Sequence, residues 1–430
     1  DSGCHSLRGQ PVNHLDAWKI ISYNVAFALP RSGDENDANA HRARLIPAAG
    51  FLQDASLIVL QGLFETGSSL RLLRSLARHG FTHQVPVTGP SCAHTDPVSA
   101  GIAIVSRHTI TRAEQHLYPR DPKADDSPQK GFTYAAVRAA RNTLHIIGTH
   151  LHSGQDSTSR NIRSHQLARL ADFLSDQEKN GTMPSEDMVV IAGTLNTAYG
   201  SSEHARALTA LHADSPTMKL GWPYSFDTTN NTLARRHQAD VPARSRGPAQ
   251  DLDHILLRRG HAQPSRWNSR VLVSRTPWHF NTQHYTDYSD HQPVMAGAGV
   301  TTRPGRYDLI LTAVRVTTRH AAHSDCPRPW GTITVTTDTS GPTTVWECGS
   351  SRSHGRRPGT NLLRHPLIFS SATAFAIQID LFHNSPGPGT PLAYGTLWWQ
   401  AGARLGRHIA TVQGETGQTA VSFTTQLTPT

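Results

Sequence analysis

Tyr285-Thr286-Asp287-Tyr288-Ser289-Asp290-His291-Gln292-Pro293-Val294 places an aspartate–histidine pair directly before an apolar run that reaches Val300. That run reads as a buried strand. Histidine titrates near neutral pH, so one held at the mouth of a strand beside a carboxylate is a candidate general base. The chain has 26 histidines, and a lone one is more often a surface-loop residue. The catalytic reading therefore depends on what the other strand ends supply.

Working outward, several apolar runs end on polar residues. A strand over 18–25 carries Asn24 at its C-terminal end, and one over 143–151 ends on Thr149-His150. The run over 188–192 leads into Gly193-Thr194-Leu195-Asn196, and one over 251–257 carries Asp253. Further strands are expected over 56–63, 100–107 and 131–139, with helical periodicity over 38–53, 67–79, 161–179 and 201–212. The alternation predicts an α/β (α+β) core of sheets with helices outside and polar residues collected at strand ends. One buried polar residue at a strand end is usually structural. Asn24, His150, Asn196, Asp253, Asp290 and His291 together point to one convergent site.

A chain of 430 residues is long enough for two or three domains. The apolar fraction of 37% and charged fraction of 17% fit a globular protein, and no run approaches membrane-spanning length. A net charge of +9 favours an anionic partner. The arginines that carry most of it are dispersed, which argues for a delocalised field. Four cysteines without CxxC spacing fit two disulfides better than zinc, with Cys4–Cys92 and Cys326–Cys348 the expected pairs. With an N-terminus at Asp1, they suggest a processed, secreted protein.

The texture changes near Thr302-Arg303-Pro304-Gly305. Beyond it, alternating Thr- and Val-rich stretches at 309–316, 331–337 and 374–381 are separated by Gly/Pro turns, and no helix is evident. The expected organisation is a tail over 1–17, a first domain over 18–302 and an all-β sandwich over 306–430. Trp330, Trp346, Trp398 and Trp399 read as core aromatics ahead of a glycan- or lipid-facing platform.

The first domain resembles the endonuclease/exonuclease/phosphatase superfamily and, within it, the bacterial secreted neutral sphingomyelinases (sphingomyelinase C). The matching pieces are Ser22-Tyr23-Asn24-Val25, Gly101-Ile102-Ala103-Ile104-Val105-Ser106, Lys130-Gly131-Phe132-Thr133-Tyr134, Ile147-Gly148-Thr149-His150-Leu151, Phe226-Asp227 with Asn231, Leu252-Asp253 and the stretch from Tyr288 to Val294. Each is weak alone; in this order they are specific. The resemblance implies a four-layer sandwich of two packed β-sheets flanked by helices, with the site at the strand ends. It implies hydrolysis of a phosphodiester by in-line water, with His291 as general base supported by Asp290. His150 would donate to a phosphate oxygen, Asn196 would position phosphate or water, and Asp253 would complete the catalytic set. Asn24 would help hold Mg²⁺, and Asn24, Asp227 and Asn231 would contact substrate. Trp278 and Phe280 would occupy an aromatic hairpin that touches the membrane.

The chain departs from the family pattern at two acidic positions. Gly62 stands where a metal-binding glutamate is expected, and Thr194 stands for the aspartate of Gly-Asp-x-Asn. Magnesium is usually held by one or two carboxylates, so the metal is expected to be weak or absent, with Glu65 the nearest substitute ligand. The leading expectation is a monomeric phosphodiesterase acting on a phospholipid such as sphingomyelin at a membrane surface. The alternatives are a weakly active or inactive phospholipid-binding protein and, less favoured, a secreted nuclease. The chain has no interleaved basic and aromatic stretch suited to nucleic acid.

Overall fold

The computed structural model describes residues 13–27, 38–87, 100–120, 128–140, 142–222, 224–228, 231–237, 249–272, 275–280, 283–300, 307–318, 329–337, 341–348, 360–363, 366–371, 374–382, 391–400, 406–414 and 417–427. The chain divides into two compact units, 1–219 with 224–301 and 302–430 with 220–223.

The first unit is organised on the strand Ile20–Phe27, buried along almost its whole length. Its apolar residues alternate with Ser22 and Asn24, so it suits the centre of a sheet with both faces covered. It runs parallel to Leu57–Leu63 and antiparallel to Val294–Gly297 within a seven-stranded sheet. Val294 lies opposite Ser22. The antiparallel register therefore brings the residues preceding Val294, His291 among them, to the end of the neighbouring strand that carries Asn24.

The six-stranded second sheet follows the order Thr109–Leu117, Gly131–Ala139, Asn142–His150, Met188–Thr194, Asp253–Arg258, Ala213–Asp214. His150 pairs with Thr194, and Thr194 with Asp253, so the three stand in one row at one end of the sheet. The sheets pack face to face through their central strands. Gly148 permits that approach: a Cβ there would fall 2.6 Å from Val59 Cγ1 of the other sheet.

Helices cover both outer faces, completing the four expected layers. Ala43, Leu72, Leu73 and Leu76, from Asn39–Leu45 and Thr66–Arg78, pack on Ile21, Tyr23 and Leu60. Leu167, Leu170, Leu174 and Ala207, from Ser157–Lys179 and Ser202–Ala210, pack on Tyr134, Ile147 and Val189. The helix expected over 38–53 is shorter. It ends at Leu45 and gives way to 3₁₀ turns at Ile46–Ala48 and Gly50–Leu52. Pro47 has no N–H to continue the ladder, and Gly50 is a poor helix former. The long second-sheet helix starts earlier than its periodicity suggested, because Asp156 caps it by accepting from Ser159 N at 2.9 Å.

The second unit contains two four-stranded antiparallel sheets. One orders Leu367–Ser371, Tyr307–Thr318, Gly417–Leu427 and Gly406–Gln413; the other orders Gly341–Cys348, Trp330–Thr337, Ala374–Phe382 and Pro391–Gln400. Leu309, Val314, Ile333, Val335, Ile377 and Val421 are among the residues of their common core. Trp399 belongs to that core and Trp346 packs against it, while Trp330 stacks on Phe382 at 4.8 Å. Trp398 is half-buried. Cys348 ends the strand Gly341–Cys348. The other three cysteines, and with them both expected disulfides, lie outside the described residues.

Candidate active site

Strand ends of the two sheets converge on a hydrogen-bonded chain of side chains. Asp253, fully buried, lies 2.6 Å through Oδ2 from His291 Nδ1. Its other oxygen accepts from Thr194 Oγ1 at 2.6 Å. Thr194 Oγ1 in turn accepts from Asn24 Nδ2 at 3.2 Å, and Asn24 Oδ1 accepts from Ala26 N at 3.0 Å. Asn24, Thr194, Asp253 and His291 thus form one relay. With its Nδ1 proton held by a carboxylate, neutral His291 keeps the accepting lone pair on Nε2.

The carboxylate hydrogen-bonded to His291 is Asp253. The Asp253 strand delivers its side chain to the ring. Asp290 accepts from Ser289 Oγ at 3.2 Å, and Ser289 Oγ also donates to Asn24 O at 2.6 Å. Ser225 fixes the same corner: its Oγ accepts from Leu252 N at 2.9 Å and Asp253 N at 3.1 Å, while its carbonyl accepts from Gln292 N at 2.7 Å. The Phe226 ring lies 5.0 Å from that of His291.

His150 is 6% exposed and carries no positive charge at neutral pH. Burial, reinforced by Lys130 and then His291, holds its pKa well below the ordinary histidine value. The positive group beside it is Lys130, whose Nζ lies 3.3 Å from His150 Nε2 and 4.6 Å from the centre of the Phe64 ring. Lys130 is assigned no role from the sequence, although it opens the family-matching stretch Lys130-Gly131-Phe132-Thr133-Tyr134; the structure places it at the head of a strand that pairs with the His150 strand.

Other candidates act on the architecture. Asn196 adopts φ +55° and donates through Nδ2 to Leu151 O at 2.8 Å, tying two strand ends together. Asn231 donates to Ser289 O at 2.8 Å, and its Oδ1 accepts from Leu233 N and Ala234 N at the start of Thr232–His237. It caps that helix and holds the His291 loop. Asp227 is buried beside it, and its carbonyl accepts from Asn231 N at 2.8 Å.

The residues present do not fit the magnesium implied by the family pattern. Gly62 sits at φ +75°, and a Cβ there would fall 2.7 Å from Ala26 N and clash with Asn24 Oδ1. Ala26 itself lies at φ +48°, at a register shift between the two strands. A side chain at 62 has no room, and the Asn24 oxygen faces a backbone N–H. Thr194 is committed to Asp253. Glu65 caps the helix Thr66–Arg78, accepting from Gly67 N at 2.6 Å and Ser68 N at 2.8 Å through separate oxygens, so its role as substitute ligand is corrected. Among the described residues, no three His, Cys, Asp or Glu side chains gather in an arrangement that could hold a metal.

Trp278 is also corrected. It lies on the two-stranded ribbon formed by Arg275–Phe280 and Gln283–Asp287, buried between Tyr285 at 4.3 Å and His41 at 5.3 Å. Its Nε1 donates to Asp287 O at 3.1 Å. The indole packs inward because its only polar atom finds a partner there. Phe280 is half-buried on the same cluster, with Ala38 and Leu233.

Residues 21–291 match the Endonuclease/Exonuclease/phosphatase family. The sphingomyelinase C of Listeria ivanovii is 32% identical over 299 residues, covering 65% of this chain and 85% of the relative. A phospholipase C of Staphylococcus aureus is 27% identical over 298 residues, covering 65% and 86%. The crystal structure of sphingomyelinase C from Streptomyces griseocarneus aligns with a TM-score of 0.59 at 31% identity, covering 66% of this chain and 99% of that one. A beta toxin mutant from Staphylococcus aureus, crystallised with bound magnesium ions, aligns with a TM-score of 0.58 at 26% identity over 65% of this chain and 98% of that one. The chain belongs to the endonuclease/exonuclease/phosphatase family, in its sphingomyelinase C branch.

Proposed function

We propose that the chain is a secreted phosphodiesterase of the sphingomyelinase C type, cleaving the head-group phosphodiester of a phospholipid such as sphingomyelin. The observation that carries this reading is the buried Asp253–His291 pair at the convergence of the two sheets. Asp253 holds the ring with Nδ1 protonated and stabilises the imidazolium that forms. His291 Nε2 then takes the proton of the attacking water. Thr194 and Asn24 fix the second Asp253 oxygen, so the carboxylate has one orientation. Asn196 and Asn231 hold the loops on which the pair depends.

Magnesium enters no step of this scheme, because Gly62 and Thr194 replace the expected acidic residues and Asn24 turns its oxygen to a backbone N–H. The membrane side of the proposal rests on the relatives and on the net charge of +9, since Trp278 is buried. No helix among the described residues is long and apolar enough to cross a membrane.

The test is phosphocholine release from sphingomyelin vesicles, with Mg²⁺ and with EDTA, by the intact chain and by His291→Ala. Release that disappears in the variant is the expected result. No release under any condition, with vesicle binding intact, would replace the hydrolase by a lipid-binding protein on the same fold. The closed relay around Gly62 is what keeps that second reading in view.

A further inference from the structure

We infer that Lys219 is a positioning residue, an ionic clamp that fastens the loop carrying Asn196 onto the segment leading into Asp253. The inference rests on the phosphodiesterase reading and deepens it by naming the side chain that fixes two strand ends of the site against each other.

Lys219 lies on the strand Met218–Gly221, at one edge of the seven-stranded sheet, and its ammonium meets two groups at the site end of the other sheet. Nζ donates to Asp251 Oδ2, and it sits 4.1 Å from the centre of the Tyr199 ring. Asp251 is buried, and its Oδ1 has no hydrogen-bond partner among the described residues, so Lys219 is the countercharge this carboxylate has. The two segments that Lys219 touches are stitched together by backbone. Tyr199 N donates to Asp251 O at 3.0 Å, Leu195 N donates to Leu252 O at 3.0 Å, and His254 Nε2 lies 2.8 Å from Thr197 O. Asn196 stands inside that stitching and ties it to Leu151, the residue after His150. Two residues beyond Asp251, Asp253 receives His291. Ser225 grips the next two residues, Leu252 and Asp253, through their amides, so positions 251 to 253 are each held by a side chain.

The backbone alone does not secure this junction. Asn196 sits at φ +55°, a left-handed conformation that persists only where its surroundings hold it. A carboxylate out of water is strongly unfavourable without a partner, so Asp251 is fixed wherever the ammonium is fixed. The ammonium is fixed in turn by its edge strand and by the face of the Tyr199 ring, a favourable seat for a cation. Burial pulls the Lys219 pKa down to about 8, which leaves it protonated at neutral pH. One charge thereby binds the side chain of 251 and the ring of 199, the two ends of the stitched region.

Lys219 exchanges no proton in the reaction and acts through Asn196 and Asp253. Displacing reacting groups by about 1 Å costs on the order of 10²-fold in rate. Loss of the clamp should therefore be felt in kcat, through the aim of the Asp253–His291 pair and the end of the His150 strand, with little change in KM.

The experiment compares wild type, Lys219→Arg, Lys219→Met and the double variant Lys219→Met/Asp251→Asn. Lys219→Met strands a buried carboxylate and is at risk of unfolding, so the double variant, which removes both charges, carries the test. Phosphocholine release from sphingomyelin vesicles gives kcat and KM, and amide hydrogen exchange at Leu195 and Tyr199 reports the loop without turnover. Expected in the folded double variant are a fall in kcat of about 10- to 100-fold, KM within about threefold of wild type, and faster exchange at both amides. Lys219→Arg, which keeps the charge, should retain more of the wild-type kcat than the double variant does. A folded double variant with wild-type kcat, or with unchanged exchange at both amides, overturns the inference while leaving the hydrolase standing. So does a rise in KM at constant kcat, which would give Lys219 to substrate binding, and so does a double variant that fails to fold, which would make the pair a support of the whole unit. If wild type releases no phosphocholine, the hydrolase reading falls and exchange decides Lys219. Unchanged protection then overturns the clamp, and lost protection upholds Lys219 as the residue that orders the Asn196 loop.

Discussion

Asp253 and His291 are 38 residues apart in the chain and meet at 2.6 Å, whereas Asp290, the neighbour of His291, hydrogen-bonds to Ser289. The two aspartates should therefore behave differently when neutralised. Asp253→Asn presents an amide to His291 Nδ1 and removes the charge that favours the imidazolium, so kcat should fall by about 10³- to 10⁴-fold. Asp290→Asn should cost less than about tenfold, because the carboxylate paired with the base remains. Steady-state rates on sphingomyelin vesicles decide this. Equal losses in the two variants would remove the basis for assigning Asp253 as the partner.

Gly62 should resist any side chain. Its φ of +75° and the Ala26 backbone 2.7 Å from its Cβ position make even alanine strained. Gly62→Ala is expected to lose about 1–3 kcal/mol in urea unfolding. Gly62→Glu should lose at least as much and gain no Mg²⁺-dependent rise in melting temperature. A magnesium-stabilised Gly62→Glu would mean that the relay opens readily and that the metal position is only one substitution away.

Trp278 is a packing residue, so its truncation should be felt in stability. Trp278→Ala empties the space between His41 and Tyr285 and is expected to cost about 3–5 kcal/mol. Vesicle affinity, measured where the variant is folded, should change less than threefold. A variant of full stability with lost vesicle binding would return Trp278 to the membrane surface.

Much of this site was legible as strand ends. Asn24, His150, Asp253 and His291 each border an apolar run, and period-two or fully buried patterning marks such borders. Which carboxylate reaches His291 was not legible, since that depends on inter-strand register and on a loop held by Ser225, Ser289 and Asn231. Glu65 looked like a spare ligand because Gly62 is near it in sequence. In space it caps the next helix, a role signalled by the Thr66-Gly67-Ser68-Ser69 that follows. Trp278 resembled an exposed anchor because a hairpin offers both faces, and only tertiary packing chooses between them. Lys130 stands in a stretch that matches the family, but its approach to His150 depends on the pairing of its strand with that of His150.

Buried neutral histidines should make the first unit sensitive to acid. Burial, and secondarily Lys219, pushes the His204 pKa down to about 4, and burial also lowers those of His145, His150 and His254. Between the ordinary value near 6.5 and about 4, the unfolded chain binds the His204 proton and the folded chain does not. Stability is thus complete above pH 6.5 and declines as pH falls through that window, by up to ~3 kcal/mol for His204. Denaturant midpoints measured from pH 7 to 4.5 should fall for wild type and fall less for His204→Gln. Midpoints independent of pH across this range would sink the argument.

Arg42 supplies the last test, because it joins the bulge near Asn24 to the His291 loop. The guanidinium is completely buried and donates to Val25 O at 2.6 Å, Ala26 O at 2.8 Å, Tyr288 O at 3.0 Å and Asn39 Oδ1 at 2.7 Å, with the Phe27 ring at 5.0 Å. Three of those partners are backbone carbonyls, left without this donor if the fork is removed. Arg42→Met is expected to cost about 3–5 kcal/mol. Arg42→Lys should recover little of that, since one ammonium cannot span both the bulge and the loop. Where Arg42→Lys remains folded, the looser loop should lower kcat more than it raises KM, because the misplaced group is the base rather than a binding contact. Wild-type kcat in a destabilised Arg42→Lys would show that the arginine serves only the fold.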